Sequence, residues 1–377
     1  MEPKRIRPAH LHRSLIAHFR LALLCIVLVG FILGLRLVAN ASSNRPTEDT
    51  ADPPVCDKGP EANECIASLP FVLSLEWPQP WVLVGKKVAD VEKFYSIAVC
   101  DDHMLAGSDL GIYSRTGNAT DWKKEQTDVT RAITDVTFVP NNCNKAYAAV
   151  LGHGVYFGRH NNNEWDWQLV DTTGQLKDAE TIVIVPGDGA EDAIYAGGAF
   201  GVFWLPQLPE SPVTWQQTSI ETATTSLIGG PKVLASVWTE GVSLLAGGAT
   251  WLPLGTLEDK LVYQAVFDGS QGLAGTQTGA FIWKVNHWER SAAVQNTTFS
   301  VAMTEQMLIT GRRTEGVMIS QDRGATWFPA KQGLDGVGST GFQVRDLLVY
   351  SVTDDKADHK VLYAATTTGI WKWTGQP

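Results

Sequence analysis

A sevenfold internal repeat is the feature that most constrains how this chain can fold. Each copy runs from small apolar residues through a turn to a glycine and an apolar pair, as in LAGSDLGIYS from residue 105 and YAGGAFGVFW from residue 195. The repeat glycines are Gly111, Gly154, Gly201, Gly241, Gly279, Gly316 and Gly369. Their spacings are 43, 47, 40, 38, 37 and 53 residues. A repeat of about 40 residues is typical of the blades of a β-propeller.

Each copy also has the same internal order, which predicts four strands. An apolar run such as SIAVC (residues 96–100) or TIVIV (residues 181–185) comes first. A second strand ends in the small residues before the turn, and a third follows the glycine, which permits a tight turn. The fourth strand carries a tryptophan, and these are Trp122, Trp167, Trp215, Trp251, Trp288 and Trp327.

The seventh copy stops at GIWKWTGQP, before a fourth strand. The segment SLEWPQPWVLVG (residues 74–85) precedes the first copy and carries Trp77 and Trp81. We expect this segment to pair with the seventh copy, because ring closure removes exposed sheet edges. The prediction is an all-β, seven-bladed β-propeller over residues 68–377, closed by an N-terminal strand.

The composition agrees with this fold and excludes one class of partner. The chain has 377 residues with 14 Trp, 35 Gly and 18 Pro, which suits many short strands joined by turns. Residues 1–40 carry six basic residues and one acid, a net charge of +5, and the remaining 24 basic and 39 acidic residues give −15. A body this acidic repels phosphate backbones, so we expect no nucleic-acid partner.

The N-terminal region predicts a membrane anchor. Leu21–Leu35 is an uninterrupted apolar run of 15 residues that follows a basic segment. Positive charge stays in the cytoplasm, so residues 1–20 are expected inside, 21–40 as a single transmembrane helix, and everything beyond outside. Residues 41–67 are rich in Pro, acids and hydroxyl residues, which is typical of a flexible tether. The alternative is a secreted protein, with a signal peptide cleaved after Ala41.

Four cysteines lie in the predicted exported part: Cys56, Cys65, Cys100 and Cys143. An even number in an oxidising compartment indicates two disulfides, with three possible pairings. We expect Cys56–Cys65, which are close in sequence, and Cys100–Cys143, which lie near the ends of first strands in neighbouring blades. The spacing of Cys and His fits no zinc motif, so the sequence predicts no metal site and no cofactor.

The stretch SQDRGATW lies between the third and fourth strands of the sixth copy. Its Ser320, Asp322, Gly324, Thr326 and Trp327 match the Asp-box pattern, Ser/Thr-x-Asp-x-Gly-x-Thr-Trp. We interpret it as a structural turn, in which Asp322 accepts backbone hydrogen bonds and Trp327 folds into the blade.

On this motif and the repeats, residues 70–377 resemble the bacterial-neuraminidase-repeat and sortilin-type propellers. They are also similar to exported propellers of the photosystem II assembly and stability factor type. The resemblance implies an extracytoplasmic propeller. The Gly-His…Trp-Asp pattern of WD repeats is absent from this sequence.

In a propeller the starts of the first strands share one face with the loops between the second and third strands. The residues at the starts are all polar: Ser96, Asp135, Thr181, Ser226, Gln264, Ser300 and Asp346. Such residues can simply hydrate the channel mouth. The functional interpretation is a binding face formed by Asp135, Asp346, Arg345, Arg312 and Arg313.

The leading hypothesis is a membrane-anchored, non-catalytic propeller that binds a protein partner or acts as an assembly scaffold on this face. The alternative is a carbohydrate-binding or glycoside-hydrolase-like propeller that uses Asp135 and Asp346 as a carboxylate pair. The Arg-Ile-Pro segment of sialidases is absent from the exported part. Gly-x-Ser-x-Gly and phosphate-loop motifs are also absent.

Overall fold

The structure is a computed structural model that describes residues 80–125, 131–171, 174–187, 191–259, 261–353, 358–375 and 377. The predicted membrane helix, the tether and the Cys56–Cys65 pair lie outside these residues. Within them, no helix is long and apolar enough to cross a membrane.

In the described residues, 28 strands form seven antiparallel sheets of four strands each, which we number as blades 1 to 7. A short strand, β1 (Trp81–Leu83), precedes blade 1. Blade 1 contains β2 (Phe94–Cys100), β3 (His103–Ser108), β4 (Gly111–Thr116) and β5 (Lys123–Lys124). Blade 2 contains β6 (Ile133–Val139), β7 (Asn142–Val150), β8 (Gly154–Asn161) and β9 (Glu164–Leu169). Blade 3 contains β10 (Ala179–Val185), β11 (Ala193–Gly198), β12 (Gly201–Leu205) and β13 (Gln216–Gln217).

The remaining blades follow the same order. Blade 4 contains β14 (Thr224–Ile228), β15 (Leu234–Val237), β16 (Gly241–Gly247) and β17 (Thr250–Pro253). Blade 5 contains β18 (Val262–Phe267), β19 (Gly272–Thr276), β20 (Gly279–Lys284) and β21 (His287–Arg290). Blade 6 contains β22 (Thr298–Met303), β23 (Leu308–Arg312), β24 (Gly316–Ser320) and β25 (Phe328–Pro329). Blade 7 contains β26 (Val344–Thr353), β27 (Asp358–Thr366), β28 (Gly369–Trp373) and, as its fourth strand, β1.

The predicted closure of the ring is confirmed. Strand β1 pairs antiparallel with β28, with Trp81 opposite Trp373. Trp81 is 2% exposed, and its indole N–H donates to the carbonyl oxygen of Ala330 in blade 6 at 2.7 Å. The first strands of consecutive blades lie side by side, and β26 of blade 7 lies beside β2 of blade 1.

The hydrophobic core lies between the blades. The buried apolar residues form seven clusters, and each cluster joins two neighbouring blades. Trp327 of blade 6, for example, packs with Leu273 and Ile282 of blade 5. Each sheet is therefore covered by the preceding blade on one face and by the following blade on the other, which is why the strands carry near-continuous apolar runs.

Tryptophans in or just before the fourth strands join the blades. The indole N–H groups of Trp122 and Trp288 donate to backbone carbonyls of the preceding blade at 2.8 Å. In blade 2 the more buried tryptophan is Trp165, 6% exposed, while the predicted Trp167 stacks on it at 5.4 Å between ring centroids.

The predicted disulfide between Cys100 and Cys143 is confirmed. It joins the end of β2 in blade 1 to the start of β7 in blade 2, with 5.4 Å between the two Cα atoms. The bond therefore links the first two blades at the end of the ring opposite the starts of the first strands.

The turn from Ser320 to Trp327 has the geometry of a local hydrogen-bonded loop. Asp322 accepts hydrogen bonds from the backbone N–H of Thr326 at 2.8 Å and from its hydroxyl at 2.5 Å. Gly324 has a φ of +87°, and a Cβ there would lie 2.2 Å from Ile282 Cδ1. Trp327 enters the core between blades 5 and 6. These contacts give the turn a structural role.

Candidate functional site

The loops between the second and third strands share one face with the starts of the first strands. Backbone N–H groups in these loops donate to carbonyls just before first strands, as in Leu151 to Ala132 at 3.0 Å and Trp238 to Ala223 at 2.8 Å. We call this surface the channel-mouth face. It is formed by the loops at residues 109–110, 151–153, 199–200, 238–240, 277–278, 313–315 and 367–368.

Every first strand has a β-bulge where it enters the channel. The pairing with the second strand shifts at the same place in all seven blades, for example between Phe94 and Ser96. Each shift leaves one extra residue at the mouth, and bulges often serve to redirect a side chain. The bulged residues are Tyr95, Thr134, Glu180, Thr225, Tyr263, Phe299 and Arg345, and all line a channel cavity of about 760 Å³.

The bulged residues differ in chemical character between the two halves of the channel mouth. Tyr263, Phe299, Arg345 and Tyr95 come from four consecutive blades, 5, 6, 7 and 1. The rings of Tyr263 and Phe299 meet edge to face with 5.0 Å between centroids. The other three blades contribute two threonines and one acid, Glu180. One half of the mouth is therefore aromatic and cationic, and the other is polar and acidic.

Arg345 lies between two aromatic rings. Its guanidinium carbon is 4.8 Å from the centroid of Phe299 and 5.4 Å from that of Tyr95, within the range of cation–π attraction. Its Nε is buried without a hydrogen-bond partner, and Nη1 is 3.5 Å from the Gln343 side-chain oxygen. Within the described part of the chain Arg345 forms no ion pair. Burial lowers the pKa of Arg345, an effect that nearby Glu180 partly offsets.

The predicted residues Asp135 and Asp346 line the same cavity, where each holds the next blade. Asp135 accepts hydrogen bonds from the backbone N–H of Ile182 at 2.8 Å and the hydroxyl of Thr181 at 3.1 Å. Asp346 accepts one from the backbone N–H of Ile97 at 3.1 Å. These contacts explain why acids occupy the two positions without any need for a ligand.

Other residues at the starts of the first strands make equivalent contacts. Their side chains reach backbone groups of the following blade, and the pairs are Thr181 with Leu227 N at 2.8 Å, Gln264 with Val301 N at 2.6 Å, and Ser300 with Val344 O at 3.2 Å. The polar positions singled out in the sequence are therefore largely a belt of hydrogen bonds between blades.

The two carboxyl groups are protonated more readily than ordinary acids. Burial raises the pKa of Asp135 to about 7, and the negative charge of Asp346 adds to the effect. Burial also raises the pKa of Asp346. Both side chains line the cavity but are only partly exposed to it, and protein atoms surround the rest of each group. The charged form of Asp135 is therefore less favoured than that of an ordinary aspartate.

The other two predicted arginines do not line the cavity. Arg312, the last residue of β23, is buried and forms an ion pair with Glu315 at 2.5 Å. Arg313 lies exposed in the loop that follows, on the channel-mouth face. The structure therefore brings together Asp135, Asp346 and Arg345, but not Arg312.

Three apolar side chains project from the channel-mouth face on consecutive blades. Leu151, Phe200 and Trp238 belong to the second-to-third-strand loops of blades 2, 3 and 4 and are 40%, 56% and 48% exposed. Trp238 also lines the channel cavity. We call these three residues the apolar loop cluster.

A second cavity of about 840 Å³ lies at the ends of the first strands, beside the disulfide. Its lining includes Asp101, whose backbone N–H donates to the Tyr350 hydroxyl at 2.7 Å. Asp101 also lies with Cys100 and Cys143 in a group of the size that can hold a metal. The two sulfurs are bonded to each other, so they offer no thiolate.

Sequence reasoning missed the bulged residues and the apolar loop cluster. A signal for the bulged residues was present in the repeat alignment. The residue just before the polar residue at the start of each first strand varies between aromatic, charged and hydroxyl side chains. A bulge adds one residue to a strand without changing the apolar run that follows, so strand periodicity does not reveal it.

Comparison with known proteins supports the fold. No family model and no curated protein sequence matches the chain. The extracellular domain of BT4673 from B. thetaiotaomicron, described as a hybrid two-component system, superposes with a TM-score of 0.59 at 14% identity. That match covers 78% of this chain and 40% of the other, so this chain spans less than half of that neighbour.

Two further solved structures share the architecture. YCF48 bound to D1 peptide has a TM-score of 0.57 at 12% identity, covering 79% of this chain and 98% of that one. An ancestral GH74 enzyme has a TM-score of 0.56 at 15% identity, covering 77% and 45%. Structural similarity at identities this low establishes the fold alone, a seven-bladed β-propeller. The predicted membership of the Asp-box and sortilin-type groups stays a prediction.

Proposed function

We propose that this protein is a protein-binding or scaffolding propeller that presents its channel-mouth face to a partner. The observation that carries the proposal is Arg345, which lies between Tyr95 and Phe299 at the mouth of a wide cavity and has no ion-pair partner among the described residues. Aromatic residues and arginine are the types enriched in the centres of protein interfaces. YCF48, which has the same fold, was solved with a bound peptide.

We also propose a cellular location for the protein. The apolar segment at residues 21–40 would anchor it, and the tether at residues 41–67 would hold the propeller outside the cytoplasm. Cleavage after Ala41 would instead release it. In the anchored form the partner would be a membrane protein or one that meets the membrane surface.

Site-specific photocrosslinking in intact membranes tests this function. The full-length chain would carry p-benzoylphenylalanine at Phe200, on the channel-mouth face, or at Val285. Val285 is 93% exposed in the turn between β20 and β21, on the opposite end of the ring, and serves as the matched control. We expect a discrete crosslinked protein from position 200 only. Equal products from both positions, or none, would refute the proposal.

A second candidate function is glycoside hydrolysis or glycan binding at the same cavity. Asp135, with a pKa of about 7, has the protonation behaviour of a general acid, and Asp346 is a second carboxyl close enough to influence it. The hydrogen bonds that both acids accept from neighbouring blades favour the structural role instead. Hydrolysis of a polysaccharide panel, abolished in Asp135→Asn and in Asp346→Asn, would establish the second candidate.

A further inference from the structure

We propose that the partner segment is bipartite, with one carboxylate seated against Arg345 and apolar side chains covering the apolar loop cluster. This inference rests on the proposed protein-binding function and names the chemistry of its ligand. It commits to a polypeptide segment that is both acidic and apolar.

The acidic half of the ligand follows from the state of Arg345. A guanidinium largely removed from water without a carboxylate in hydrogen-bond contact is unfavourable, because the lost hydration is not replaced. The rings of Tyr95 and Phe299 compensate only in part, since they contact the faces of the group and satisfy none of its N–H donors. A carboxylate entering from the channel would supply the missing acceptors in the geometry that arginine favours.

The surrounding charges restrict the ligand to a single negative group. Glu180, Asp135 and Asp346 line the same cavity, and the charges of Glu180 and Arg345 influence each other. A phosphate with two charges would meet repulsion from these acids, whereas a carboxylate brings only one charge. The carboxylate can come from an Asp or Glu side chain or from a chain terminus.

The apolar half of the ligand follows from continuity along the face. Trp238 belongs both to the cavity lining and to the apolar loop cluster, so one segment can touch Arg345 and then cross blades 4, 3 and 2. Leu151 and Phe200 continue the same row of exposed loops. Exposed aromatic and aliphatic side chains beside a pocket are typical of an interaction site.

A random dodecapeptide phage library panned on the full-length chain tests this chemistry. We expect the selected peptides to combine an Asp or Glu with aromatic or aliphatic residues. Their synthetic versions should bind about 10-fold or more weakly to Arg345→Gln, because a hydrogen-bonded charge is lost. Trp238→Ser should also weaken binding. The matched control is Arg323→Gln, which changes an exposed arginine in the turn between β24 and β25, away from the channel-mouth face, and should leave binding within about 2-fold.

Two further arms make the outcome decisive. Free and amidated C-termini on the same peptides, together with Glu→Gln replacements, separate a terminal from a side-chain carboxylate. Arg345→Lys keeps the positive charge and guards against a folding artefact, and we expect it to bind better than Arg345→Gln at an unchanged melting temperature. Selected peptides without acids, or binding that survives Arg345→Gln, would overturn the inference.

The failure of this inference differs from the failure of the proposed function. A partner that crosslinks at position 200 equally well in wild type and in Arg345→Gln keeps the protein-binding function and overturns the bipartite ligand. Absence of any crosslink at position 200 overturns the function itself.

Discussion

The carboxyl group of Asp135 couples the stability of the ring to pH. Its folded pKa of about 7 lies above its ordinary value of 3.8, so between these limits the folded chain binds more protons than the unfolded chain. The stability from this group is complete below about pH 4 and is lost as pH rises through 7. The shift in pKa corresponds to a change of at most about 4 kcal/mol in the free energy of unfolding between low and high pH.

We therefore predict that Asp135→Asn is more stable than wild type at pH 8 and similar to it at pH 5. The amide keeps an oxygen that can accept from Ile182 and removes the charge. Denaturant unfolding at both pH values measures the difference, with Asp335→Asn as an exposed control. A difference between variant and wild type that is the same at both pH values would contradict the assignment.

At the scale of the elements, the Trp81 indole helps to hold β1 on blade 6, beside a backbone hydrogen bond from the Trp81 N–H to the carbonyl oxygen of Gln332 at 2.8 Å. We predict that Trp81→Phe lowers the free energy of unfolding by about 1–3 kcal/mol, because the buried carbonyl of Ala330 loses its donor. Trp251→Phe is the matched control. Trp251 is equally buried in a core between blades, but its indole nitrogen has no partner within the described residues. Urea unfolding should show the larger loss for Trp81, and equal losses would contradict the role of the hydrogen bond.

The Ser320–Trp327 turn gives a second prediction at this scale. Asp322→Ala removes the acceptor of two Thr326 hydrogen bonds, and we expect a loss of about 1–2 kcal/mol in the free energy of unfolding. Peptide binding to the channel-mouth face should stay unchanged, because the turn precedes a fourth strand at the outer side of blade 6. Loss of binding in a stably folded variant would show that the turn is more than structural.

The elements also show what sequence reasoning can reach. The seven repeat glycines all have positive φ, from +80° at Gly316 to +148° at Gly369, so each marks a turn that other residues resist. Such local requirements leave a visible pattern, and the blades and their closure could be predicted. The aromatic setting of Arg345 could not be, because it arises from three bulges in blades 6, 7 and 1 whose side chains meet only in the closed ring.

At the scale of the whole molecule, stability is shared because every apolar cluster spans two blades. The Cys100–Cys143 bond closes a loop with a sequence separation of 43 residues. Chain-entropy arguments assign about 4 kcal/mol to a loop of that length. We predict that the whole propeller of the double variant Cys100→Ser/Cys143→Ser unfolds in a single transition. The midpoint of that transition should lie at a lower guanidinium concentration than in wild type. Reductant should destabilise wild type and leave the double variant unaffected, while two separate transitions would contradict shared stability.

Closure by β1 also determines when a newly made copy becomes complete. Trp81 is synthesised early, but its partner Trp373 comes almost at the end, and Thr374 reaches back 294 residues to bond Pro80. At ordinary elongation rates that interval lasts roughly 15 to 60 seconds. Throughout it, blade 7 is incomplete, so blade 1 lacks the full neighbour that covers one of its apolar faces. A partner that recognises the closed channel mouth would therefore bind finished copies and pass over nascent ones.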